Sequence, residues 1–183
     1  MKQGRGRRKA LVGAVAVVVT AALGVGLYLF QPWKLWQDET VREARPTAAP
    51  GGTSGTVPAA PAPAAAPQML TQGSFISHEH DTEGTARVIR LSDGSHVLRL
   101  EGLDTSNGPD LRVWLTDAPV REGVAGWRVF DDGKHVSLGK LKGNKGDQNY
   151  EIPADVNLAD YSSIAIWCDR FDVSFGAAEL AKA

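Results

Sequence analysis

The sequence predicts an all-β domain, a β-sandwich or small barrel of about eight or nine short strands, tethered to one N-terminal transmembrane helix. Three observations predict it. Between residues 73 and 181, short runs of alternating apolar and polar residues recur between turn signals, with no amphipathic helix of useful length among them. Residues 10–30, "ALVGAVAVVVTAALGVGLYLF", carry no charge at all. Between these regions the composition turns to Ala, Pro and Gly, which builds no core.

Taken in order, residues 1–9 hold five basic groups and no acid and read as a cytoplasmic tail. Residues 10–30 rise about 1.5 Å each as a helix, enough to cross a hydrocarbon core of about 30 Å. The basic cluster before them sets the N-terminus in the cytoplasm and everything after Phe30 outside, at the cell membrane. A cleavable signal peptide requires a shorter apolar core and small residues at a cleavage site, where this chain has bulky "YLFQPW"; an uncleaved signal anchor is expected. Trp33 and Trp36 suit the headgroup level. Residues 31–72 read as a juxtamembrane segment followed by a disordered linker, "RPTAAPGGTSGTVPAAPAPAAAP", whose prolines favour extended conformations and whose glycines add freedom. It is expected to hold the domain away from the membrane.

In the outer region the strand-like runs are "SFISH", "TARVIRL", "HVLRLE", "DLRVWLT", "GWRVF", "HVSLGKL", "QNYEIP", "SIAIWC" and "FDVSF". Alternation places His96, Leu98 and Leu100 on one face of their strand, and Leu111, Val113 and Leu115 on one face of theirs, opposite Asp110, Arg112 and Trp114. "SDGS" and "DDGK" suit hairpin turns, and "GKLKGNKGDQ" reads as a solvated hairpin with turn glycines. Asn107-Gly108-Pro109-Asp110 reads as a tight turn in which Gly supplies an unusual φ and Asp caps free amides.

The runs "HDTEGTARVIRLSDGSHVLRLEGLDTSNGPDLRVWLT", "VSLGKLKGNKGDQNYEIP" and "YSSIAIWCDRFDVSFGAAEL" together resemble the DM-thirteen domain family, a module often found beside DOMON domains. The resemblance covers residues 73–181 in one order and leaves out the helix and linker. It implies a β-sandwich, an extracytoplasmic setting and a redox or electron-transfer role centred on the family cysteine, which falls on Cys168. The family's histidine falls on His80, its GPDL aspartate on Asp110 and the asparagine before it on Asn107.

Cys168 is the only cysteine of the chain. Alternation sets it on the face of Ile164 and Ile166, with Trp167 opposite. Free cysteine packs well as a small hydrophobe, yet an unpaired cysteine is unusual in an oxidising compartment. Asp169 and Arg170 follow at once, which suggests a strand end open to solvent. Three chemistries stand open for a functional Cys168: ligation of a haem or metal with His80 as second ligand, a naked thiol, or an intermolecular disulfide giving a covalent dimer. Covalent haem lacks its C-x-x-C-H, and one cysteine builds neither an iron–sulfur cluster nor a Cys-rich zinc site within one copy. On a strand, His78 and His80 would share a face and could chelate a metal, but a pair of exposed loop histidines is the favoured reading and no metal site is assigned; only His80 falls on the family position.

The leading expectation is therefore a membrane-anchored redox domain using Cys168 with His80 and Asp110, acting on a redox partner protein. The alternative is a non-enzymatic envelope module that binds a carbohydrate or protein ligand, with Cys168 merely buried and exposed aromatics such as Trp114 or Trp127 as the contact face. A net charge of −1 gives no field that favours nucleic acid, and no hydrolase or transferase motif is found.

Overall fold

The computed structural model describes residues 3–47 and 66–182. Residues Gln3–Phe30 form one helix, α1. The candidate membrane span, Leu11–Lys34, has no buried residue, and Leu11, Val17 and Tyr28 are among its exposed apolar side chains. Pro32 then opens a short 3-10 turn, Pro32–Trp36; proline is favoured there because the first turn has no intrahelical use for its N–H.

The remaining elements are strands: β1 (Thr40–Arg42), β2 (Gln68–Ser77), β3 (Thr82–Arg90), β4 (His96–Thr105), β5 (Leu111–Thr116), β6 (His135–Lys140), β7 (Lys145–Ile152), β8 (Ser163–Cys168), β9 (Val173–Glu179) and β10 (Ala181–Lys182). They build one sheet, ordered β1-β7-β4-β3-β2-β9-β8-β5-β6, with β10 beside β2. Every pairing is antiparallel except β1 on β7. The sheet curls into a half-barrel, and β2 makes the turn: its first part pairs with β3 and its last residues, Phe75–Ser77, with β9. The expected all-β sandwich or barrel is thus present as two halves of one curled sheet.

The halves close on an aliphatic core. Leu98 and Leu100 of β4 and Ala86 and Val88 of β3 face Val113, Leu115, Ile164 and Ile166 of β5 and β8, all of them almost wholly removed from water. At roughly 25 cal/mol per Å² of apolar surface, this burial is the main favourable contribution to folding. The face-sharing expected of Leu111, Val113 and Leu115, and of Ile164, Ile166 and Cys168, holds, since all six belong to this cluster.

Four local expectations are corrected. "GWRVF" is a turn region following the 3-10 turn Gly123–Gly126, not a strand; its alternation reflects a loop that drops Trp127 and Phe130 onto the domain. β6 and β7 are not a hairpin, because they lie near opposite ends of the sheet and residues 141–144 cross between its halves. Gly108 has no positive φ. It is small because a Cβ there would approach Leu111 Cδ2 and Phe175 Cζ to 3.1 Å, and the amide cap comes from Asn107 Oδ1, 2.8 Å from Gly108 N.

The fourth correction concerns where the domain starts. β2 begins at Gln68, and β1, within the segment read as juxtamembrane, already pairs with β7. Gly146, at φ 96°, permits this approach, since a Cβ would lie 2.0 Å from Val41 O. Buried Arg99 ties the same segment down, donating to Glu43 O and Ala44 O while its other nitrogens pair with Glu101 and Asp147, each at 2.8 Å. Asn144 adds bonds to Glu39 N and to the Asp38 carboxylate. Beyond β1, Phe30 stacks on Phe171 at 5.5 Å, Arg170 donates to Leu29 O and Lys34 to Gly108 O. The domain therefore stands against the end of α1. The Ala/Pro-rich stretch lies between β1 and β2 instead of between helix and domain, and its residues 48–65 are outside the described residues.

Candidate functional site

Cys168 closes β8, in register with Leu111 of β5 and Val173 of β9. After it the chain reverses tightly: Phe171 N donates to Cys168 O at 3.2 Å, and Asp172 takes a left-handed conformation at φ 50°. Arg128 clamps this reversal by donating to Phe171 O and Asp172 O, both at 3.1 Å. The outcome overturns the solvent-open strand end, because Cys168 is 0 % exposed. The polar pair Asp169-Arg170 points away while the thiol turns into the core.

Two influences oppose each other at the sulfur. Burial pushes the thiol pKa up, and main-chain N–H groups of Phe171, Arg170 and Asp110 pull it down; the negative charge of Asp110 adds to the rise. The thiol is therefore protonated at neutral pH, in a setting with amide donors that favour a more negative sulfur.

The fold brings Asp110 to this place. Asp169 N donates to Asp110 O at 3.0 Å, which joins the turn before β5 to the turn after β8. The Asp110 carboxylate is four-fifths buried; Oδ2 meets Arg112 Nη2 at 3.4 Å, and Oδ1 accepts no hydrogen bond, with Lys140 Nζ 3.7 Å away. Arg112 also pairs with Asp169 at 3.1 Å. Asn107 lies one turn upstream and donates to Gln37 O at 3.2 Å, so it braces the juxtamembrane segment.

His80 is not hydrogen-bonded to Cys168. Its ring packs on Phe175, centroids 3.9 Å apart, and its Nε2 sits 3.0 Å from Glu79 Oε2. It faces a cavity of about 290 Å³ walled by Phe30, Pro32, Lys34, Phe171 and Phe175, at the junction of helix and domain. His78 goes elsewhere, because β2 ends at Ser77 and strand alternation stops with it. Its Nδ1 is 2.8 Å from Ser174 Oγ, its Nε2 3.0 Å from Arg121 O, and its ring stacks on Phe130. The two histidines therefore do not form a chelate. Among the described residues no group of three or more His, Cys, Asp and Glu side chains is placed to hold a metal ion.

The geometry does not fit a haem on Cys168 either. The thiol is sealed in the aliphatic core, and the His80 ring is occupied by Phe175. A disulfide between two copies meets the same obstacle, since each sulfur would first have to leave the core.

The alternation rule treated Trp114 as outward and exposed, and this is also corrected. Trp114 is 6 % exposed and Trp167 1 %, in a second buried cluster with Phe130, Ala165 and Ala177 on the outer face of β5, β8 and β9. Residues 117–134 cover that face. Phe130 of this loop was the available signal for it; Trp127 packs against the first cluster.

A family model described as "Electron transfer DM13" matches residues 74–180, more than half of the chain. No curated protein matches, and no solved structure matches.

Proposed function

The chain belongs to the electron-transfer DM13 family, and from that premise we propose that it is a membrane-anchored electron-transfer module whose redox-active group is Cys168. The observation that carries this reading is the joining of the turn before β5 to the turn after β8: Asp169 N donates to Asp110 O at 3.0 Å, and Leu111, next to Asp110, is the register partner of Cys168. One-electron oxidation of a thiol releases a proton as well as the electron. The unbonded Oδ1 of Asp110 is the acceptor for that proton, and the electron passes to a redox partner protein. His80 serves as the supporting residue on the cavity side, where the partner or a small ligand contacts the domain.

Anchoring rests on the apolar stretch of α1, whose side chains such as Leu11, Val17 and Leu23 are exposed, and on the basic residues ahead of that stretch, which set the N-terminus in the cytoplasm and the domain outside. Protease added to intact cells is expected to remove the domain; full protection overturns this orientation. A full burial of Cys168 favours the second reading, an envelope module for a carbohydrate or protein ligand with a structural cysteine. Its contact face would then use partly buried Trp127 and neighbouring Val124, 74 % exposed.

Film voltammetry of the full chain in detergent micelles separates the two. The redox reading expects a wave that vanishes in Cys168→Ser and persists in His78→Gln. No wave in the wild type, or one unchanged in Cys168→Ser, overturns the role of the thiol. Maleimide is expected to label Cys168 only after denaturation under either reading.

A further inference from the structure

A buried redox group needs a route for its electron, and the outer face of the sheet contains one. The exposed ring of His135 stacks on Trp114 with centroids 4.2 Å apart and planes 9° apart. Trp114 stacks on Trp167 at 4.9 Å and 22°. Trp167 precedes Cys168 directly in β8, one side chain on each face of the strand. Electron tunnelling weakens exponentially with distance, so two short steps between oxidisable rings outrun a single long one. Indole is among the most readily oxidised side chains, and this pair spans the distance between the surface and the strand that carries the thiol.

Packing by itself is a poor reason for two indoles here. The Nε1–H groups of both Trp114 and Trp167 are buried and meet no acceptor of the protein. A buried donor without a partner destabilises the fold, so leucine or phenylalanine would fill this face more favourably. The same feature suits electron passage. An indole radical cation with no acceptor nearby keeps its proton, so it is refilled by an electron alone.

We propose that the Trp114–Trp167 stack is an electron conduit between the surface at His135 and Cys168. This rests on the redox reading of Cys168 and names its route. A one-electron oxidant docked over His135, a partner protein's redox centre, takes one electron from Trp114. Trp167 refills Trp114, and Cys168 refills Trp167 through the peptide bond they share. The Cys168 S–H bond breaks, its proton passes to the Asp110 carboxylate, and a neutral sulfur-centred radical remains. The oxidant has gained the one electron that the thiol has lost; reduction by a one-electron donor runs the same steps in reverse.

The test uses the full chain in detergent micelles with a ruthenium photosensitiser on Lys134→Cys, beside His135. The new thiol is exposed and Cys168 is not, so the label is selective. After flash oxidation of the label, its recovery and the tryptophan radical absorbance are followed. Recovery is expected to slow at least tenfold in Trp114→Phe and in Trp114→Tyr, the second variant guarding against a packing defect. The same label on Glu151→Cys, on the other half of the sheet, is expected to recover as slowly as Trp114→Phe. In Cys168→Ser, recovery is expected to stay fast while the tryptophan radical lives at least tenfold longer. Equal recovery in wild type and both Trp114 variants, or equally fast recovery from the Glu151 site, overturns the conduit. Fast, Trp114-dependent recovery with an unchanged radical lifetime in Cys168→Ser supports the tryptophan route and overturns Cys168 as its end.

Discussion

The two faces of β8 differ in what they bury. Its inner face sets Ile164, Ile166 and Cys168 into an aliphatic core shared by both halves of the sheet; its outer face sets Ala165 and Trp167 under a loop, beside Trp114 and Phe130. The inner face is closed by strands, which satisfy their own backbone groups. The outer face is closed by residues 117–134, held through Thr116 Oγ1 at Ala118 N, 3.1 Å, through His78 at Arg121 O, and through Arg128 at the turn after Cys168. One face is buried by the architecture, the other by side chains that pin a loop. The second arrangement is adjustable, and it is the one that carries Trp114 and Trp167, both with an unpaired Nε1–H.

Four measurements break or sharpen that contrast. Phe130, fully buried, is the plug of the outer cluster, and Phe130→Ala is expected to destabilise by about 4 kcal/mol while exposing Trp114 to a fluorescence quencher. Equal quenching before and after would mean that the loop is held without it. Ile166→Ala on the inner face is expected to lose about 3 kcal/mol in a denaturant titration, without changing tryptophan accessibility. A rise in quenching there would show that the two faces are not independent.

The third measurement addresses the pin. Burial holds His78 below its ordinary pKa of about 6.5, so the native state keeps it neutral while the unfolded chain takes up a proton first. Its contribution is complete above about pH 6.5 and declines as pH falls toward the native value, at no more than about 1.4 kcal/mol per pH unit. Thermal unfolding from about pH 7.5 to 5.5 should therefore show the wild type losing stability faster than His78→Gln; parallel curves would remove His78 as the cause. The smallest effect is expected at Trp114→Phe, less than about 1 kcal/mol, since the lost apolar area is offset by removal of a buried, unpaired N–H. A loss of several kcal/mol in chemical denaturation would mean that the indole is there for packing.

Most strands were legible because alternation over five or more residues reflects which side chains meet water. Cys168 with Ile164 and Ile166 on one face and Trp167 on the other followed from the same rule. The rule failed in two places for a shared reason. Trp114 alternates outward like a solvent-facing residue, and "GWRVF" alternates like a strand, because period two says which face a side chain is on and nothing about what later covers that face. His78 was misjudged similarly: its partners, Ser174 and Arg121, lie far along the chain.

By itself, then, the sequence determined the apolar helix, the all-β domain and the shared face of the only thiol with Ile164 and Ile166, since composition and period are local properties. Only the tertiary structure decided that β1 joins the sheet, that Asp110 is bonded to the turn after Cys168 and that a loop seals Trp114 and Trp167. Each of these is a contact between distant segments, fixed by complementary shape and by hydrogen-bond partners that no local pattern records.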